Sequence, residues 1–195
     1  PIAVKDLIDT KEIYTTYGSK IFRTNIPTHD ATVITKLKEK GAIIIGKTNL
    51  HELAYGFTNE NPHYGTSKNP WSIKRIAGGS SGGSAAAVSA SLCFGALGTD
   101  TGGSIRVPSS FCGVVGLKPT YGRVSRNGVN TLSWSLDHVG PITKTVMDSA
   151  ILLEAISGHD AKDQTTSRRQ TEDYVSNISA DLSGIKMGCP NSFLS

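Results

Sequence analysis

Long apolar runs, paired cysteines and metal-ligand spacings are all missing from this chain, and each absence closes off a class of protein. No stretch approaches the roughly 18 uninterrupted apolar residues of a membrane span, and no secretory leader pattern is present. Cys93, Cys112 and Cys189 are odd in number and form no CxxC pair, which argues against a disulfide framework and predicts reduced thiols in a cytoplasmic protein. The five histidines show neither HxxxH nor HExxH spacing, so the sequence implies no metal and no other cofactor. Charge is sparse, at 18% of residues and a net +4. The one basic stretch, Lys36, Lys38 and Lys40, lies on a predicted helix and reads as a solvated face; without interleaved aromatics it predicts no direct nucleic-acid contact.

What the chain has instead is glycine, 21 residues of it, set among regular apolar runs. That combination predicts packed backbone rather than disorder, and 195 residues suffice to bury a core. The chain begins at Pro1 inside an apolar run and stops at Ser195, which predicts a single domain over 1–195 that is incomplete at both ends. Residues 2–4 read as a short buried strand ending at Lys5. A helix is predicted over 28–40, capped by Asp30, with Val33, Ile34 and Leu37 inward and Gly41 as its stop. A buried strand follows at 42–45, then a short helix at 49–55 between an Asn49 cap and Gly56. Residues 84–91 (SAAAVSAS) form a helix of small residues that neighbours can approach closely. Strands are predicted at 92–97, 114–117 and 185–189, with a polar surface excursion over 159–176. The clearest helix is 145–157, with Thr145 and Asp148 as a capping pair, Val146, Ala150 and Leu153 on one face, and Gly158 at its end. Helix alternating with buried strand is the rhythm of an α/β protein.

Two glycine-serine clusters stand out, GGSSGGS at 78–84 and TGGSIR at 101–106. The first runs straight into the small-residue helix and the second straight out of a buried strand, which argues against flexible linkers. Walker A requires a lysine after its last glycine, which neither cluster has, and G-x-G-x-x-G is absent. Backbone N–H groups gathered beside a serine fit oxyanion stabilisation in acyl transfer better. Ser104 would open a short helix running to Cys112, stopped by Gly113, so that the N–H groups of Thr101, Gly102, Gly103 and Ser104 converge, aided by the helix dipole. A serine nucleophile needs a base, and a neutral lysine can serve. Lys5 is the best placed, although a lone lysine at a strand end is more often a surface charge, and spacing does not exclude a histidine.

The segment from GGSSGGSAAAVSASLCFGALGTDTGGSIRVPSSFCGVVGLKPTYGRV, with PIAVKDLID and GKTNLHELAYG upstream and SLDHVGPITKT downstream, resembles the amidase signature family. The resemblance covers residues 1–156. It implies a mixed central β-sheet covered by helices on both faces. It also implies a Ser–cis-Ser–Lys triad that hydrolyses amides through an acyl-enzyme. On this chain the triad is Ser104 as nucleophile, Ser80 as the bridging serine and Lys5 as base, with the oxyanion held by the amides of Thr101 to Ser104. Ser81 and Ser84 become helpers, Ser84 as a helix cap; Asp100 and Arg106 become a structural clamp, and Tyr55 a wall of the acyl pocket. The expected partner is a small-molecule amide, with no membrane and with room for a homo-oligomer. HELAYG and SWSLDHVGP resemble stand-alone amidases. The alternative is an A subunit of a tRNA-dependent amidotransferase, which releases ammonia from glutamine; these related proteins typically read TNMDEFAMG where this chain has TNLHELAYG.

Overall fold

The computed structural model describes residues 1–178, 181, 183–186 and 188. β1 (Ile2–Lys5) opens the chain and is followed by α1 (Thr32–Glu39) and β2 (Ile44–Thr48). Two short antiparallel pairs come next, β3 (Glu60–Asn61) with β4 (Gly65–Thr66), and β5 (Lys68–Asn69) with β6 (Ser72–Ile76). α2 (Gly82–Ser89), β7 (Gly95–Asp100), α3 (Arg106–Cys112) and β8 (Val115–Gly116) lead to β9 (His138–Thr143), α4 (Val146–Ile156) and α5 (Tyr174–Asn177).

Among the described residues one mixed sheet has the order β2–β1–β7–β9–β8. β1 is parallel to both its neighbours, and β9 is antiparallel to β7 and β8. Strand alternation divides the core in two. Ile2, Val4, Leu97 and Val139 pack under Val33, Ile34 and Leu37 of α1 and Leu152, Leu153 and Ile156 of α4. Ala3, Ala96 and Ile142 meet Ala85 and Val88 of α2 and Cys112 of α3 on the other face. Helices therefore cover both faces, as expected. The second face is built from small side chains, which lets α2 lie close on the sheet. At Gly98 a Cβ would stand 3.0 Å from Ser81 Oγ. Cys93 and Cys112 are free and buried, and no helix among the described residues is long and apolar enough to cross a membrane.

Several local expectations need correction. α1 starts at Thr32, and Asp30 does not cap it. Its carboxylate accepts instead from Lys11 N–H and Lys38 Nζ, while Thr32 N–H finds the carbonyl of Asn127. The strand expected at 42–45 is β2, shifted two residues on, and it is a sheet edge with Ile43 and Ile45 exposed. The helix expected at 49–55 is a single 3₁₀ turn, Glu52–Ala54. Asn49 does not cap that turn, because its side chain bridges Leu50 N–H and Gly65 O. α2 begins at Gly82, which places Ser84 inside the helix rather than at its cap. The strand expected at 92–97 is β7, displaced to Gly95–Asp100, leaving Leu92 and Phe94 exposed. β8 is shorter than expected. α4 is capped by Thr145 as expected and its Ala150 and Leu153 are buried, but Val146 faces out. α5 interrupts the excursion expected over 159–176, and the strand expected at 185–189 is not seen at its described residues Ile185, Lys186 and Gly188, the other two lying outside the described residues.

Candidate active site

The parallel strands β1 and β7 end side by side, and their last residues carry the polar groups of the site. Their ladder closes at Val4 opposite Leu97. From that point on, side chains of Ser84 in α2 and of Ser81 just before it take over backbone groups of β7. Ser84 Oγ donates to Leu97 O at 3.0 Å. Ser81 Oγ donates to Thr99 O at 3.1 Å and accepts from Thr99 N–H at 3.2 Å, much as a strand neighbour would. Ser81 and Ser84 are thus the hydrogen-bonded seat of α2 on the sheet.

Ser80, just before α2, follows a cis peptide bond from Gly79. Its carbonyl accepts from His51 N–H at 3.2 Å, and Gly83 N–H donates to Asn49 O at 3.1 Å, so the 49–51 segment runs against the helix start. The first free N–H of α2, on Gly82, is capped from outside by Asn59 Oδ1 at 3.1 Å.

Lys5 is fully buried, with Nζ 2.7 Å from Ser80 Oγ and 2.8 Å from Thr99 Oγ1. Burial disfavours its charge, and although Asp100 and Asp137 act in the opposite direction, the amine is lowered to about 7. A neutral lysine is therefore well populated near neutral pH. Ser104 is nearly buried and is tied to the Lys5–Ser80 pair through backbone, Ser81 N–H donating to Ser104 O at 3.1 Å. Among the described residues the N–H groups of Gly102, Gly103 and Ser104 have no backbone acceptor. Gly103 takes φ +141, a conformation that L side chains rarely adopt.

Asp100, fully buried, accepts from Ile105 N–H at 3.0 Å and from Arg106 Nε and Nη2 at 3.1 and 2.9 Å. Burial pushes its carboxyl up, but the Arg106 and backbone hydrogen bonds more than offset this and hold it below the ordinary value. The pair clamps the TGGS turn between β7 and α3.

In front of Ser104 lies a pocket of about 310 Å³, lined by Ala54, Tyr55, Phe57, Thr101, Gly102 and Leu132 among others. Tyr55, expected to wall an acyl pocket, lines this pocket beside Ser104 and is 80% exposed. Sequence reasoning missed Thr99, Asn59, Phe57, Leu132 and Asp137. They stand as isolated residues outside the glycine-serine clusters, with no spacing that announces them.

A profile of the family described as Amidase matches residues 1–195. The chain is 54% identical over 193 residues to the A subunit of glutamyl-tRNA(Gln) amidotransferase from Syntrophobacter fumaroxidans, covering 99% of this chain and 40% of that protein. The crystal structure of the corresponding Thermotoga maritima protein superposes with a TM-score of 0.91 at 52% identity, over 94% of this chain and 40% of that one. The native peptide amidase of Stenotrophomonas maltophilia gives 0.88 at 40% identity, over 91% and 38%. The chain spans about 40% of the length of the curated relatives it matches. A profile match along the whole length, relatives above half identity, and a shared fold leave one conclusion: this chain belongs to the amidase family.

Proposed function

We propose that the full-length protein cleaves a carboxamide through an acyl-enzyme on Ser104, with Ser80 and Lys5 as its proton relay. The observation that carries this reading is the buried Lys5 Nζ, 2.7 Å from Ser80 Oγ. Thr99 Oγ1 accepts one hydrogen of the neutral amine, which leaves the nitrogen lone pair for Ser80. As Ser104 Oγ bonds to the carbonyl carbon, its proton passes to Ser80, and the Ser80 proton passes to Lys5. The oxyanion settles against the N–H groups of Thr101 to Ser104. The relay then reverses, the C–N bond breaks, and the leaving nitrogen departs protonated. Water cleaves the ester by the same path, releasing the acid and restoring Ser104.

The amide donor in this reading is glutamine, as for the A subunits of tRNA-dependent amidotransferases. The support is identity, 54% to one of these proteins compared with 40% to the peptide amidase. A second reading, a stand-alone amidase for apolar acyl groups, is favoured by Tyr55, Phe57 and Leu132 beside Ser104.

A fluorophosphonate probe tests the chemistry. Incubated with the full-length protein, it labels Ser104, and Ser104→Ala abolishes both labelling and ammonia release while the fold persists. Labelling at Ser81 or Ser84, or turnover in the Ser104→Ala variant, overturns the assignment.

A further inference from the structure

Asp137 lies just before β9, 7% exposed, and its carboxylate serves two distant pieces of chain. Oδ1 accepts from Thr101 Oγ1, the first residue of the TGGS turn. Oδ2 accepts from the N–H groups of Leu132 and Ser133 at 2.8 and 2.9 Å. Thr101 and Leu132 both line the pocket in front of Ser104. From its other side the same loop is held by Arg126, whose Nη1 donates to Trp134 O at 2.8 Å, and by Tyr121, whose hydroxyl donates to Trp134 O at 2.8 Å. A local turn alone would need only the backbone bond from Asp137 N–H to Ser133 O, at 3.1 Å. The bond to Thr101 spans 36 residues and joins the turn to the oxyanion loop.

We propose that Asp137 is a positioning residue: one buried carboxylate fixes the spacing between the oxyanion loop, through Thr101, and the pocket wall, through Leu132. The proposal rests on the acyl-enzyme reading above. Hydrogen bonds to an ionised carboxylate are the strong ones, and a misplacement on the order of 1 Å at such a site is costly to turnover. Asparagine can keep the geometry without the charge, its Oδ1 accepting from the two N–H groups and its Nδ2 donating to Thr101 Oγ1. The charge has its own readout. Asp100 from β7 and Asp137 both favour the protonated form of Lys5, and Arg106 is paired with Asp100 while Lys47 on β2 is paired with Asp6, the residue after Lys5.

The test uses the full-length protein, with any partner that co-purifies, and ammonia release from glutamine and from benzamide. Asp137→Ala is expected to lower kcat/KM about 100-fold and Thr101→Val about tenfold, with the double variant no worse than Asp137→Ala. Asp137→Asn restores most of the rate and moves the acid limb of the pH profile to lower pH. Multiplying losses in the double variant, or an Asn variant as impaired as Ala, overturn the proposal. If the Ala variant does not fold, Asn and Thr101→Val decide: a normal rate with Thr101→Val, or an unmoved acid limb with Asn, overturns it. Turnover surviving in Ser104→Ala would sink the acyl-enzyme reading alone, because coupling between positions 101 and 137 is still read from the same rates.

Discussion

Lys5 governs how the proposed relay answers to pH. Its amine, lowered from 10.5 to about 7 by burial, is protonated below that value and unable to accept from Ser80. kcat/KM should therefore rise through about pH 7 and level off above it. Lys5→Arg should lose about 10²–10⁴-fold, as badly as Lys5→Ala, because guanidinium keeps its proton. Near-normal rates with arginine, or a flat profile from pH 6 to 8, would remove Lys5 from the mechanism. Stability follows the same group. Between about 7 and 10.5 the unfolded lysine binds a proton that the folded one does not, so this residue makes the fold more stable as pH rises there. At this scale Ser80, Ser104 and Lys5 were legible as candidates because a long sequence pattern marks them, and the structure brings Lys5 to Ser80. Thr99 and Asp137 were not, since their contacts span 94 and 36 residues and depend on how strands end.

Elements were legible where one face is apolar and one is not, as in α1. The sheet interior was harder. β7 reads GALGTD, two-thirds glycine and polar, yet all six residues are buried because Ser81 and Ser84 serve its backbone where β1 stops. β9, HVGPIT, holds a proline that speaks against a central strand, but Pro141 still accepts through its carbonyl from Leu117 N–H. The caps of α1 and α2 come from Asn127 and Asn59, far from the helices they serve, which no local pattern reveals. The tight seat of α2 gives a prediction. At Gly83 a Cβ would lie 2.5 Å from Asn49 O and 2.6 Å from Asn49 N, backbone atoms that move only with the 49–51 segment. Gly83→Ala should cost about 1–3 kcal/mol in denaturant unfolding and reduce turnover further, since His51 N–H in that segment holds Ser80. Gly46→Ala on β2 meets nothing within 4 Å and should be neutral to both. Equal effects of the two substitutions would contradict this account of the helix seat.

For the whole molecule, the open matter is what the pocket admits. Ala54, Tyr55, Phe57 and Leu132 present apolar surface beside Ser104, and none carries a charge. Glutamine brings an α-ammonium and an α-carboxylate, and neither can leave water without a paired partner. If glutamine is the donor, those partners come from parts of the full-length protein beyond these residues, since the chain spans about 40% of its curated relatives. The apolar wall would then contact only the methylenes of the donor. On the strength of the 54% identity to the A subunit of an amidotransferase, the full-length protein should release ammonia from glutamine with a kcat/KM at least about tenfold above that for benzamide. Tyr55→Ala discriminates further. With glutamine as donor it should weaken both amides modestly and leave their order unchanged, because the charged groups are recognised elsewhere. With a stand-alone amidase it should collapse benzamide turnover selectively, since an aromatic acyl group depends on that wall. Benzamide as the better substrate, with that selective loss and no partner needed, would transfer the assignment to the stand-alone amidases.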